Sequence, residues 1–109
     1  MTDNEDWIKI AGKIEEFTFD KNNIACVTIH GKSICLVQST YELKACSASC
    51  PHAAGDLSKG FLDAKENIIC PVHGYRFNLT SGRDSNSEGY FLKIYKVKRN
   101  EEGIFIKLA

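Results

Sequence analysis

Apolar and polar positions alternate with a period of two over most of this chain, and helical spacing is hard to find. Trp7-Ile8-Lys9-Ile10 reads as a first strand. Two runs rich in β-branched residues follow, 23–30 and 33–38, and Gly31-Lys32 between them suits a two-residue hairpin turn. Residues 41–46 make a further strand, starting at Tyr41. Phe61-Leu62 and residues 67–70 flank a polar turn, and 90–98 with 104–108 form a closing hairpin around Asn100-Glu101-Glu102-Gly103. Many short strands with turn signals between them predict an all-β fold, a β-sandwich or small barrel. Residues 81–89, rich in Ser, Gly and Asn, are the most loop-like stretch.

At 109 residues the chain fits one domain, 1–109, with a modest core that would profit from a staple such as a metal centre. Lys and Arg number 14, as do Asp and Glu. That balance argues against a partner such as nucleic acid or an anionic membrane, which would demand a basic face. The basic run at 93–99 alternates with Ile94, Tyr95 and Val97, as the solvated side of a strand does. The N-terminus is acidic, with no apolar run of a secretory signal after it, and nothing approaches the ~18 apolar residues of a membrane span. Five cysteines, an odd count, fit a reducing compartment in which thiols serve metal rather than disulfides, so the expected location is cytoplasmic.

The chemistry concentrates in Cys50-Pro51-His52 and, after a 17-residue spacer, Cys70-Pro71-Val72-His73. Each half offers one thiolate and one imidazole, the donors an iron–sulfur or zinc centre needs. Both motifs fall in loops rather than mid-strand, the first after the strand ending near Cys46 and the second between Ile68-Ile69 and Tyr75-Arg76-Phe77, so two loops leaving one end of a sheet can grip a single object. One residue between Cys50 and His52, stiffened by Pro51, favours ligands reaching two adjacent metal atoms over ligands converging on one. A two-iron, two-sulfide centre fits, each loop giving its cysteine to one iron and its histidine to the other. Structural zinc sites more often use Cys-x2–4-Cys knuckles and His-x3–5-His pairs, and neither occurs here.

These residues resemble the Rieske iron–sulfur signature, Cys-x-His followed by Cys-x-x-His, with Leu57, Gly60, Gly74, Phe77 and Gly82 agreeing around them. The likeness spans residues 7–108. It implies a β-sandwich base topped by a rubredoxin-like cluster-binding subdomain, about residues 45–80. One [2Fe-2S] cluster would sit at its tip, bound by Cys50, His52, Cys70 and His73, with both histidines near solvent as the electron exit. Pro51, Pro71 and Leu57 would frame that tip, although Leu57 equally suits ordinary loop packing. Two ferric irons, two sulfides and two thiolates sum to zero charge, against minus two for a four-cysteine centre. The potential should therefore exceed the roughly −400 mV of plant-type ferredoxins. High-potential relatives carry an extra cysteine in each loop and serine and tyrosine hydroxyls against the cluster. Here those positions hold Gly55 and Val72, and Tyr75 and Phe77. Without such donors the midpoint is expected near the low end of the Rieske range, about −150 mV.

Other residues have simpler expectations. Cys46 reads as a free strand-end thiol rather than a fifth ligand, Cys26 and Cys35 as small buried thiols, and His30 as a polar strand-end residue. Trp7 is expected to pack the sandwich, and Asp20, Asp56, Asp63 and Asp84 to serve turns.

Rieske oxygenases join such a domain to a second one holding mononuclear iron on two histidines and a carboxylate. This chain has three histidines, two of them assigned to the cluster, and no Gly-rich dinucleotide fingerprint. The resemblance therefore implies a soluble, monomeric electron carrier that is not catalytic alone. Its protein partners would be a reductase that donates electrons and a terminal oxygenase or similar acceptor. Two alternatives remain open: a small subunit of a larger enzyme, similar to the nitrite reductase small subunit, whose relatives often lack cluster ligands, and a structural zinc module.

Overall fold

The computed structural model describes residues 7–39, 42–52, 55–72, 74–85 and 88–108. Nine strands carry the fold among them: β1 Trp7–Ala11, β2 Ile24–Ile29, β3 Lys32–Gln38, β4 Leu43–Ser47, β5 Phe61–Leu62, β6 Asn67–Ile69, β7 Arg76–Asn78, β8 Ile94–Asn100 and β9 Gly103–Lys107. Two short 3-10 turns, Ile14–Glu16 and Leu57–Lys59, complete the regular structure. The all-β expectation holds. Tyr41, predicted as the start of the fourth strand, lies outside the described residues.

Six strands form an antiparallel sheet in the order β1-β9-β8-β4-β3-β2, and the other three form a small antiparallel sheet, β5-β6-β7. The large sheet curls over on itself. Ala25, Ile29, Ile34, Leu36 and Ala45 from β2, β3 and β4 meet Ala11, Ile104 and Ile106 from β1 and β9 in one core. The joint between its halves is short, with Ala45 opposite Tyr95 and Cys46 opposite Ile94.

Strand β3 lies between two cores. Ile34, Cys35, Leu36 and Val37 are all fully buried, so the strand reads as a continuous apolar run. Alternation of side chains sends Ile34 and Leu36 into the core of the curled sheet. Cys35 and Val37 enter a second core with Leu57, Ile68, Phe77, Leu79 and Leu92 from the loops and the small sheet. Each fully buried Leu, Ile or Phe contributes about 1.5–3 kcal/mol, so this second core is a strong clamp between the two sheets.

Several boundaries differ from the sequence expectation by a residue or two, and three departures bear on the fold. Ile29 pairs with Lys32, which makes His30-Gly31 the hairpin turn, one residue earlier than Gly31-Lys32. Both turn residues have positive φ, 50° and 78°, as a primed two-residue turn requires, while Lys32 stays extended. His30 is thus a turn residue rather than the end of a strand. Strand β8 begins at Ile94 rather than residue 90, because the preceding segment pairs with the chain beyond β7, where Arg83 bridges Phe91 and Leu92 N–H donates to Gly82 O at 2.8 Å. Strand β7, only three residues long, had no expectation of its own.

Candidate metal centre

The first motif sits in a loop pinned at its base by strand-like pairing. Beyond β4, Ala48 N–H reaches Ser33 O at 3.1 Å, Leu57 N–H reaches Ala48 O at 2.7 Å, and Ser49 bridges Asp56. Cys50 N–H then donates to Gly55 O at 2.9 Å and closes the 50–55 loop. Asp56 caps the following 3-10 turn, accepting from Ser58 N–H at 3.0 Å and Ser58 Oγ at 2.6 Å. The second motif crowns the β6–β7 hairpin. Past the Ile69–Arg76 pair, Cys70 N–H donates to Tyr75 O at 2.8 Å, and Gly74, with φ 72°, donates to Cys70 O at 3.0 Å.

The two loops touch. A Cβ built on Gly55 would stand 2.8 Å from Cys70 Sγ and 2.7 Å from Val72 Cγ2, so only glycine lets the loops approach this closely. Cys50 and Cys70 are each 1 % exposed and share the second core with Leu57, Ile68 and Phe77. His52 is half-buried, and its buried ring nitrogen is Nδ1. A nitrogen shut away from water costs about 1–3 kcal/mol unless another group or a metal meets it. Among the described residues no three His, Cys, Asp or Glu side chains gather as a metal-holding group. A binuclear centre spreads its donors over two metals, so it needs no such convergence. His73, the fourth expected ligand, lies outside the described residues, as do Ala53 and Ala54.

Aromatic rings surround His52. The Tyr75 ring lies 3.9 Å from the imidazole between centroids and is tilted by 33°. Tyr90 meets His52 edge-on at 5.2 Å and Tyr75 at 5.8 Å. Tyr75 Oη donates to Glu88 Oε2 at 2.6 Å, and this carboxylate pushes the phenol up to about 12. The Tyr75 hydroxyl is therefore turned to Glu88, and Phe77, fully buried behind the loops, has none to offer. Asp84 is buried; its Oδ1 accepts from Glu88 N–H at 3.0 Å and its Oδ2 from Tyr90 N–H at 2.8 Å. A third loop, 84–90, thus belongs to the site. Reading the sequence placed Asp84 in a turn, which holds, but it missed Tyr90 and Glu88; the available signal was an aromatic residue ending a polar loop.

Other expectations sort clearly. Pro51, Pro71 and Val72 are exposed, Val72 by 52 %, and so edge the tip. Leu57 is fully buried beneath the thiols and does not frame the tip; loop packing is its role. Cys46 is a buried free thiol next to the end of β4, opposite Cys35. The hydrogen bond between Cys35 and Cys46 and then burial drive the Cys35 pKa sharply upward, so it remains a neutral thiol. Cys26 is exposed, not buried: it shares a face with Cys35 opposite it, but it stands on edge strand β2, where the second core no longer covers that face. Trp7 is only half-buried, lying under Lys98 Nζ at 4.8 Å and Lys107 Nζ at 5.6 Å on the outer side of β1.

Comparison with known proteins agrees with this arrangement. Residues 6–90 match the model of the Rieske [2Fe-2S] domain. The ferredoxin component of the naphthalene 1,2-dioxygenase system of Pseudomonas aeruginosa is 31% identical over 106 residues, 96% of this chain and 98% of that protein. The ferredoxin of carbazole 1,9a-dioxygenase from Nocardioides aromaticivorans superposes with a TM-score of 0.77 at 19% identity, over 93% of this chain and 96% of that one. A protein described as an NADH-dependent nitrite reductase small subunit from Mycobacterium tuberculosis also reaches 0.77, at 14% identity, over 94% and 96%. At such identities these two likenesses speak for the fold alone. The family match over most of the chain, and a relative of nearly the same length, place this chain in the Rieske [2Fe-2S] domain family, whose members carry one [2Fe-2S] cluster.

Proposed function

We propose that this chain is a one-electron carrier, a ferredoxin that takes electrons from a reductase and delivers them to a terminal oxygenase or similar acceptor. Cys50 and Cys70 would hold one iron of its [2Fe-2S] cluster, and His52 and His73 the other. The observation that carries the reading is the pair of buried thiols in two loops of matching closure, brought into contact at Gly55. The cluster supplies reversible one-electron storage when bound. The chain's own residues do the rest: Leu57, Ile68 and Phe77 keep water from the thiols, and Pro51, Pro71 and Val72 give the partner an exposed, apolar rim. With Tyr75 committed to Glu88 and Phe77 in place of a hydroxyl, no donor on these two side chains favours the reduced state. The midpoint accordingly falls near about −150 mV.

Sequence favours the carrier over the nitrite reductase small subunit, since the 31% relative is a dioxygenase-system ferredoxin while the fold likeness is equal for both. The whole chain, 1–109, would work as one cytoplasmic, monomeric module with its cluster part at about 45–80 and no nucleic-acid or membrane partner. Among the described residues no helix is long and apolar enough to cross a membrane. Anaerobic purification followed by iron and acid-labile sulfide assay tests the reading, with about two of each expected per chain. The dithionite-reduced protein should give an EPR signal whose mean g value lies below that of the free electron. Colourless protein containing zinc and no sulfide would overturn it in favour of the structural zinc module. Size exclusion with a partner retained through purification would favour the bound subunit.

A further inference from the structure

We infer that Tyr75 and Glu88 are positioning residues that fix the His52 imidazole and bias its iron toward the oxidised state. The inference rests on the electron-carrier reading above and concerns what sets the potential of that centre. Tyr75 belongs to the second loop but packs at 3.9 Å on the imidazole of the first. Its hydroxyl is engaged by a carboxylate 13 residues later in the chain. That carboxylate is held in place, because buried Asp84 binds the backbone N–H groups of both Glu88 and Tyr90. Ser85 N–H, donating to Arg76 O at 2.9 Å, ties the same loop back to β7. The cationic groups nearby are engaged elsewhere, Arg76 with Asp63 and Arg83 over the Phe91 ring.

The electrostatic consequence has a definite sign. A phenol donating to a carboxylate at 2.6 Å makes a strong, charge-assisted hydrogen bond, which leaves its ring more electron-rich. That negative face lies against an imidazole that carries more positive charge on ferric than on ferrous iron. Tyr75 and Glu88 therefore stabilise the oxidised state more than the reduced one and lower the potential. A hydroxyl aimed at the cluster sulfurs would do the opposite.

The experiment measures the midpoint potential by spectroelectrochemistry and the reduced EPR spectrum for wild type, Glu88→Gln, Tyr75→Phe, Tyr75→Leu and the double variant Tyr75→Phe/Glu88→Gln. Glu102→Gln, which removes the same charge at the exposed β8–β9 turn, is the control. Glu88→Gln is expected to raise the reduced-to-oxidised ratio at the wild-type midpoint about threefold, close to 28 mV at 59 mV per tenfold. Tyr75→Phe should match it, and the double variant should add nothing further. Tyr75→Leu, which removes the ring, should also alter the EPR g anisotropy and speed cluster loss to a chelator. Midpoints equal to the Glu102→Gln control, with the cluster intact in every variant, would overturn the inference and leave the carrier reading standing. A wild-type protein that assembles no cluster would remove both. If Glu88→Gln does not fold, the Tyr75→Phe midpoint decides alone.

Discussion

In the 50–55 loop the cysteine N–H reaches the carbonyl five residues on at 2.9 Å, and in the 70–75 loop it does so at 2.8 Å. Past that shared closure the loops diverge. The first grows from β4 of the six-stranded sheet and is locked by Ser33, Ala48 and Leu57. The second rests on a hairpin of three-residue strands at the end of the small sheet. Each lays one contact on the other's proposed ligand: Gly55 on Cys70, and Tyr75 on His52. Matching backbone closures thus bury both thiols alike, while the crossed side-chain contacts give His52 a surrounding of its own.

The most severe break of this likeness is loss of a thiol. Cys50→Ser and Cys70→Ser should each reduce bound iron and sulfide to near zero, because in the proposed centre both thiols would hold the same iron. Metal analysis of the two purified variants, side by side, checks it. A variant that kept its full complement would show that the two loops do not share the cluster as their matching closures require.

Next in size is a covalent join between the loops. A Cβ on Gly55 would stand 3.5 Å from Val72 Cβ, at the near edge of the disulfide range. Gly55→Cys/Val72→Cys should therefore form a disulfide once Cys70 Sγ, 2.8 Å from that Cβ, shifts aside, so the gain stays below the ~3 kcal/mol that a loop of this length would otherwise add. Thermal unfolding with and without reductant reads the difference. Thiols that stay free under oxidation would mean that the loops are not in the contact described.

The pairing of Gly55 with Val72 shows what the sequence made legible. Their place in the motif marked them as partners, and the structure brings them together. The two cysteines and the hydroxyl-free Phe77 were equally visible, since each is fixed by local spacing. Strand β7 was not, because three residues carry too little periodicity to register. Nor was the third loop's part in the site, since Glu88 meets Tyr75 and Tyr90 meets His52 only once separate segments of the chain are brought together. Cys26 and Cys35 alternate identically in sequence, and only the strand order makes one exposed and the other buried.

That third loop gives a smaller effect. Asp84→Asn replaces one acceptor oxygen with an amide nitrogen that cannot accept from Glu88 or Tyr90 N–H, leaving a part-buried donor unmet at a cost of about 1–2 kcal/mol. Urea unfolding should show a lower midpoint with an unchanged slope. An unchanged midpoint would mean that the loop contributes nothing to holding the aromatic residues around His52.

The smallest expected effect separates the loops by acid. Behind the second loop, Asp63 accepts from Lys65 N–H, Asn67 N–H, Asn67 Nδ2 and Arg76 Nη1, at 2.9 to 3.1 Å. Burial alone would raise its pKa, but the hydrogen bonds from Asn67, Arg76 and Lys65 outweigh it and hold the carboxyl at about 2. The unfolded chain has a value near ~3.9. A carboxyl depressed in the folded state adds stability that is complete above the unfolded value and is lost as pH falls through the folded one. Between about pH 4 and pH 2, wild type should therefore lose a component that Asp63→Asn lacks. Half-exposed Arg76 limits that component to about 1 kcal/mol. Urea unfolding at pH 7, 4 and 2.5 measures it. The variant should be the less stable protein at pH 7, and the gap should close toward the lowest pH. A gap constant across the series would assign Asp63 to turn geometry alone, and would leave the 70–75 loop no more sensitive to acid than the 50–55 loop.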